Sequence, residues 1–457
     1  MYPESYKDGK TKVVTSLRTT PGTLLTATQS SGANKMRALY QSSTEQFFGV
    51  RGNGVSEYDT AFSETSRFTL TTGAFEDDAT IVQMADNGVQ MLVVDGSTSG
   101  YTYNLSTNTA TVISDVDFPA ATHCAIIDGF YIVNKPNSTL CLYSAVDDPT
   151  TWSSLSTLSK EGSSDYVNSL IVSNRRIWVF GKQSYEVFYN TGDSNNQFLR
   201  MEGTYHQIGN QAPSSLAQDG KSIFWLGSNA QGFGQIYRSI EGGFDGIPIS
   251  TKPLETAIHG YTSTTDAVGY CYQQEGNSFY VLTFPTDNKT WVYDTENGMW
   301  HERSYRNPVT GVDERHRGRV QGFFNGKNYL GDYDNGNIYE ISTTTYTDNG
   351  DPIIRKRVSP VIWNALDRVF YTSFQLDIEV GVGLVTGQGS DPKVMLRWSD
   401  DAGRNWSIER QLSAGKIGEY LTRVKQNRLG SSRARVFEIT YSEPTPFNIL
   451  DAHAEFS

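Results

Sequence analysis

Short apolar runs bounded by Gly, Asn, Asp and Ser recur along most of this chain. Runs of about 4–8 residues flanked by turn residues predict strands rather than helices. One unit repeats: a short strand, a tight polar turn, an aromatic-rich strand, then another strand ending in an aromatic and a polar turn. It is plain in Ser169-Leu-Ile-Val-Ser-Asn-Arg-Arg-Ile-Trp-Val-Phe-Gly181, followed by Tyr185, Val187 and Tyr189. Further copies span Cys124–Val133 with Leu140–Ser144, Ser215–Leu226 with Gln235–Ser239, Tyr272–Leu282 with Thr290–Thr295, and Gly322–Leu330 with Gly336–Ile341. Weaker ones lie at Val82–Val94 with Tyr101–Asn104, and at Leu39–Val50 with Val55–Tyr58. The turn residues Gly88, Gly129, Asn174, Gly220, Gly276 and Gly326 are roughly 40 to 56 residues apart, close to one four-stranded propeller blade. Asp-Gly and Asn-Gly at such turns suit two-residue hairpins, which need positive φ.

The fold class predicted is therefore all-β, a β-propeller of six or seven blades over 31–345. A propeller must close, and an N-terminal strand pairing with the last blade removes the exposed edges. Segment 1–30 is assigned that closure, with Thr11-Lys-Val-Val-Thr-Ser and Thr23-Leu-Leu-Thr-Ala as candidates. The polar run from Ser342 to Pro352 reads as a loop or linker. Beyond it, Phe374-Gln-Leu-Asp-Ile-Glu-Val alternates with period two, and Val394–Ser399, Val436–Tyr441 and His453–Phe456 read as further strands. Residues 346–457 are thus expected to form a C-terminal β-sandwich-like module.

Composition changes this picture little, whereas charge narrows it. The chain has 457 residues, long enough for more than one core, and about 12% aromatics, which argues against disorder. A net charge of −12 excludes a binder of nucleic acid over its whole surface, although not a local basic patch. Cys124, Cys141 and Cys271 are an odd set without CxxC spacing, which points to neither a zinc site nor a disulfide framework. MYPESYKDGK lacks a signal-peptide apolar core, and no run approaches about 18 apolar residues, so a soluble protein of a reducing cytosol is expected. On that expectation the Asn-x-Ser/Thr triplets at Asn104, Asn137, Asn288 and Asn405 are chance matches.

Catalytic chemistry finds no support. Asp77-Asp78, Asp147-Asp148 and Asp400-Asp401 sit in turn-like contexts, where solvated acids are the ordinary reading. The histidines at 123, 206, 259, 301, 316 and 453 have no metal-ligand spacing, so neither metal nor cofactor is expected. Nucleophile-elbow and phosphate-loop motifs are absent. Ser399-Asp-Asp-Ala-Gly-Arg-Asn-Trp406 matches the Asp-box pattern known from sialidase propellers, through Ser399, Asp401, Gly403 and Trp406. Physically this is a hairpin-tip device: the Asp caps turn amides and Gly supplies the unusual backbone angle. Basic residues cluster at Arg315-His-Arg-Gly-Arg319 and along Arg423, Lys425, Arg428, Arg433 and Arg435. The second strip is a candidate surface for an acidic partner or phosphates, or a solvated loop.

The stretch Leu396–Ser407, with Gly415-Lys-Ile-Gly-Glu-Tyr-Leu-Thr-Arg-Val and Arg428-Leu-Gly-Ser-Ser-Arg-Ala-Arg-Val-Phe-Glu, resembles the packaged-DNA stabilisation (tail hub or nozzle) proteins of short-tailed bacteriophages. Gln183–Gly192, Gly209-Asn-Gln-Ala-Pro-Ser-Ser-Leu-Ala and Arg18-Thr-Thr-Pro-Gly-Thr are similar to the same family, so the resemblance covers most of the chain in order. It implies a virion protein, made in the host cytoplasm, forming a homohexameric ring beneath the portal and adaptor. That ring retains packaged DNA and conducts it at ejection. Implied partners are the adaptor–portal assembly, a tail needle or plug, tail fibres or spikes, and double-stranded DNA passing non-specifically. The family offers no catalytic residues to carry over. The competing reading is a propeller that binds or hydrolyses host surface glycan, as a receptor-binding fibre or a glycosidase.

Overall fold

The computed structural model describes residues 2–7, 13–28, 35–69, 80–365 and 367–456. Two compact units emerge: one comprises Leu25–Ser304 and Glu314–Glu340, the other Met1–Leu24, Tyr305–Asp313 and Ile341–Ser457.

The first unit is a ring of antiparallel sheets, seven among the described residues. In chain order the sheets begin with Met36–Gln41, Gln83–Asp86, Cys124–Ile127, Val167–Ser173, Gly209–Asn210 with Ala217–Asp219, Val268–Gln274, and Gly318–Phe324. Each sheet then runs outward through consecutive strands. The fourth, for example, continues through Arg176–Gly181, Tyr185–Asn190 and Phe198–Arg200. The turns behave as their residues dictate. Asp128-Gly129, Asn174-Arg175, Glu275-Gly276 and Asn325-Gly326 all have positive φ, the signature of two-residue hairpin turns. The sequence left six or seven blades open, and the structure has seven.

Adjacent blades bury apolar side chains between their faces. Phe48, Val50 and Val55 of the first blade meet Met84, Met91 and Val93 of the second. Phe224 of the fifth stacks on Tyr280 of the sixth at 5.1 Å between ring centroids. The ring closes where Phe47 of the first blade stacks on Phe324 of the seventh at 4.8 Å. Such pairs contribute beyond the area they bury, roughly 0.5–1.5 kcal/mol each. One eight-residue helix, Lys252–His259, joins the fifth and sixth blades and buries Leu254 and Ile258 on a single face. It accounts for the long interval between Gly220 and Gly276.

The seventh blade takes its fourth strand, Gly22–Ala27, from the opposite end of the chain, beside Ile338–Ser342. The two N-terminal candidates for closure therefore have different fates. Val13–Arg18 does not enter the propeller: it pairs with Ile449–Phe456 through Leu17 and Ile449. Leu17 packs on the sandwich core, and Pro21-Gly22 breaks the extended chain so that the two strands can join different sheets. Residues 11 and 12 lie outside the described residues. The polar run read as a linker contains a small hairpin, Thr347–Asp348 with Asp351–Pro352, turned at Asn349-Gly350 with positive φ at both positions.

The second unit contains two facing sheets. One has the order Tyr2–Lys7, Val13–Arg18, Ile449–Phe456, Val369–Ile378, Val424–Ser432. The other has the order Arg355–Val358, Ala434–Tyr441, Lys393–Ser399, Arg410–Ser413. Tyr371, Phe374, Leu376, Val394, Leu396, Phe437 and Ile439 form the core between them.

Candidate functional site

Three places concentrate candidate functional side chains: the basic strip, the Asp-box turn and the axis of the propeller. Strand Val424–Ser432 and the residues on either side of it carry the strip. Val424 and Leu429 point into the sandwich core, while Arg423, Lys425, Arg428 and Arg433 are exposed. Lys425 lies 3.8 Å from Glu455, and the other three form no ion pair among the described residues. Arg435 differs. It is 1% exposed, forks onto Asp400 at 2.7 and 3.0 Å, and donates to the Leu429 carbonyl at 2.8 Å. Its guanidinium also sits 4.4 Å from the Tyr371 ring centroid. The sequence placed Arg435 with its basic neighbours, but Arg433 lies in the turn after Val424–Ser432 whereas Arg435 lies on the next strand, Ala434–Tyr441, where its side chain is buried and spent within the fold.

The Asp-box turn is held by its own side chains. Asp401 accepts from the amides of Arg404 and Asn405 at 3.0 and 2.8 Å and from the Ser399 hydroxyl at 2.7 Å. These donors, the Asn405 amide first, hold its carboxyl down at about 2. Gly403 has φ +93°, which a side chain would strain. Trp406 packs under the Arg397 guanidinium at 4.8 Å. With Asp400 committed to Arg435 and Asp401 to the turn, these two acids are occupied. Asp148 likewise caps Thr150 and Thr151. Asp77-Asp78 lies outside the described residues.

At the propeller axis a cavity of about 440 Å³ opens among residues of several blades. Lys35, Asp95, His123, Asp266, Arg315, His316, Arg319 and Tyr333 supply its polar lining. Pro213 and Ser214, in the 3₁₀ turn Pro213–Ser215, add an apolar and a hydroxyl face. The His123 Nε2 donates to the Pro213 carbonyl at 3.3 Å while Thr122 bonds its Nδ1, so this ring is fixed. Burial pushes His123 down to about 4. His316 falls to about 3, through burial first and then repulsion by Arg303 and Arg317. Both imidazoles are neutral at pH 7. Asp95 pairs with fully buried Arg37 at 3.0 Å. Arg315 lies flat on Tyr333, 3.8 Å from the ring centroid.

The sequence singled out Arg315–Arg319 as a basic cluster but gave no hint of the axis. Its other wall residues come from distant blades, and no local pattern links Lys35 to Asp266. Burial raises the thiols of Cys124, Cys141 and Cys271 well above their ordinary range, so none is poised as a nucleophile. Among the described residues no three His, Cys, Asp or Glu side chains converge as a metal-ligand set. Nor is any helix there long and apolar enough to cross a membrane.

Comparison with curated protein sequences found no match. Among solved structures, the chain is similar to the extracellular domain of a hybrid two-component system from B. thetaiotaomicron, at 11% identity and a TM-score of 0.48. That match covers 86% of this chain, which spans 47% of the other's length. Two family models match. Residues 10–346 fit the model described as bacteriophage P22 Gp10, beta-propeller, and residues 354–457 the model described as bacteriophage P22 Gp10, beta-sandwich. Matched in order across nearly its whole length, the chain belongs to the bacteriophage P22 Gp10 family, structural tail proteins that stabilise packaged DNA.

Proposed function

We propose that this virion protein forms the tail hub or nozzle: a homohexameric ring below the portal and adaptor that retains the packaged genome and conducts it at ejection. It is made in the host cytoplasm, joins the adaptor–portal assembly there, and meets the tail needle or plug and the fibres or spikes on its other surfaces. Its work is mechanical, without catalysis. The observation that supports this reading is the pair of family matches, propeller then sandwich, in one continuous order. Heterologous contacts between copies close into a ring when the rotation permits. Within that reading, exposed Arg423, Lys425, Arg428 and Arg433 face an acidic partner subunit. Arg435 is excluded because its guanidinium is already committed to Asp400. Ser399, Asp401, Gly403 and Trp406 serve as a structural turn, their polar groups satisfied by one another rather than by a substrate.

The test is the mass, by light scattering, of the purified protein mixed with its phage's portal–adaptor complex. Six added copies are expected. Joint reversal of Arg423, Arg428 and Arg433 to Glu is expected to weaken that association about tenfold or more, with the unfolding midpoint unchanged. Failure to bind, or a different copy number, overturns the ring.

A further inference from the structure

Two loop faces, one on each unit, set bare apolar side chains among charges of a single sign, and the two signs are opposite. On the propeller, loop 113–120 joins the second blade to the third and is fastened to loop 144–156 of the third. Asp115 accepts from the Trp152 amide at 2.9 Å, and Asp117 from the Ser154 amide at 3.0 Å. Beneath that fastening Phe118 and Trp152 meet edge to face at 5.1 Å. It leaves Val116 96% exposed and Leu155 90% exposed, one on each of the joined loops. Residues 113–159 hold Asp115, Asp117, Asp128, Asp147 and Asp148 against Lys135. Arg175 answers Asp128 at 2.7 Å, whereas the other four acids enter no ion pair among the described residues. The amides that bond Asp115 and Asp117 satisfy oxygens without neutralising charge.

On the sandwich, segment 414–422 is fastened to the loop that begins at Gly381. The Gly418 amide donates to the Gly381 carbonyl at 3.1 Å, and the Gly381 amide to the Ala414 carbonyl at 3.4 Å. Tyr420 lies over Gly381, where a Cβ would stand 2.7 Å from its ring. Leu421 is 96% exposed, and Ile417 and Tyr420 are exposed with it. Here the flanking charge is positive, from Lys416 and Arg423, and Arg423 enters no ion pair among the described residues. Glu419 is the one acid between residues 414 and 436, and its carboxylate is turned back onto the Lys416 amide at 2.8 Å.

Apolar side chains this bare, grouped on braced loops, are the mark of a contact surface rather than of a free one. Bracing matters because loops already ordered lose little freedom on binding. The charges decide what covers each face. Two propeller faces repel one another, as do two sandwich faces, so a symmetric pairing of like with like is disfavoured. One face fits the other, and a single chain carries both. Two different patches that match between copies are what a head-to-tail ring requires.

We propose that the Val116–Leu155 face of the propeller receives the Ile417–Leu421 loop of the neighbouring copy, with Asp147 meeting Arg423 at the rim. The inference rests on the ring assigned above and names the surfaces that close it: the apolar residues supply the affinity and the charges the register.

The test assembles the full chain on the portal–adaptor complex and then adds a short bis-maleimide. The double variant Leu155→Cys with Leu421→Cys is expected to give a ladder of cross-linked copies. Either added cysteine alone should give none. Leu155→Asp and Leu421→Asp should each weaken assembly about tenfold or more, while Ile408→Asp, elsewhere on the sandwich, leaves it unchanged. Asp147→Arg and Arg423→Asp should each weaken it about tenfold, the change being repeated at every contact, and the two in one chain should restore most of the loss. If six copies add but no ladder forms and Leu155→Asp assembles normally, the ring stands and this interface is overturned. Failure of the wild-type chain to add copies overturns both. The cross-link is read on the unreversed surface charges, so it decides the matter even if a charge variant fails to fold.

Discussion

Single residues are read differently once burial is known. His123 and His316 carried no metal spacing in the sequence, and in the structure each is enclosed by the propeller and kept neutral. That has a consequence for stability. Both have folded values below the ordinary histidine pKa of about 6.5, so an unfolded chain takes up protons that the folded one refuses. Their contribution is full above about pH 6.5 and is lost as pH falls toward the folded values, about 4 and about 3. The slope approaches 1.4 kcal/mol per pH unit for each histidine, to order of magnitude. Between pH 7 and 5 few carboxylates titrate, so urea unfolding across that window reports chiefly on histidines, His206 included, since burial lowers it too. The propeller is expected to be less stable at pH 5, and His316→Gln should flatten the dependence. Equal stability at both pH values would show that the imidazoles are protonated in the folded ring.

The strand that closes the ring is the element on which the fold turns. Gly22 opens it, donating its amide to the Thr345 carbonyl at 2.9 Å, and the Thr23 hydroxyl bonds Asp348. A Cβ at position 22 would stand 2.4 Å from the carbonyl oxygens of Thr345 and Thr347. Backbone oxygens cannot swing away as a side chain does, so Gly22→Ala should cost roughly 1–3 kcal/mol or more. The measurement is hydrogen exchange at Leu25–Ala27 alongside denaturant unfolding; faster exchange there is expected first, and unchanged exchange would show that the closure is held elsewhere. Most of the blades were legible in the sequence because each carries its own local signal: an Asn-Gly or Asp-Gly turn between aromatic-rich strands. The pairing of Val13–Arg18 with Ile449–Phe456 was not legible, since a long-range partnership of strands leaves no local trace. The basic strip was visible as composition. Only the known position of the turn between two strands separates Arg433, exposed in that turn, from Arg435, buried on the strand that follows. The axial wall was the least legible, being assembled from residues up to three hundred positions apart in sequence.

At the scale of the whole molecule, net charge bears on how a tail protein can hold DNA and still release it. Phosphate contacts by Lys and Arg give nucleic-acid affinity that is strong at low salt and falls steeply as salt rises. A wall that made many such contacts would grip the genome along its length and resist ejection. A charge of −12 instead gives a net repulsion of phosphates, felt within the roughly 8–10 Å that salt leaves unscreened, so the surface taken as a whole does not favour adhesion to DNA. The isolated chain is therefore expected to leave the electrophoretic mobility of double-stranded DNA unchanged at physiological salt. Tight binding with a steep salt dependence would reverse that conclusion. Exposed Arg423, Lys425, Arg428 and Arg433 would then be the first surface to examine, because no other basic run of the sequence stands so far from acidic neighbours. Reversing Arg423, Arg428 and Arg433 to Glu separates the two cases. If the strip grips DNA, the variant loses both the affinity and its salt slope; if it faces a protein, DNA mobility stays as before and only the association with the adaptor falls.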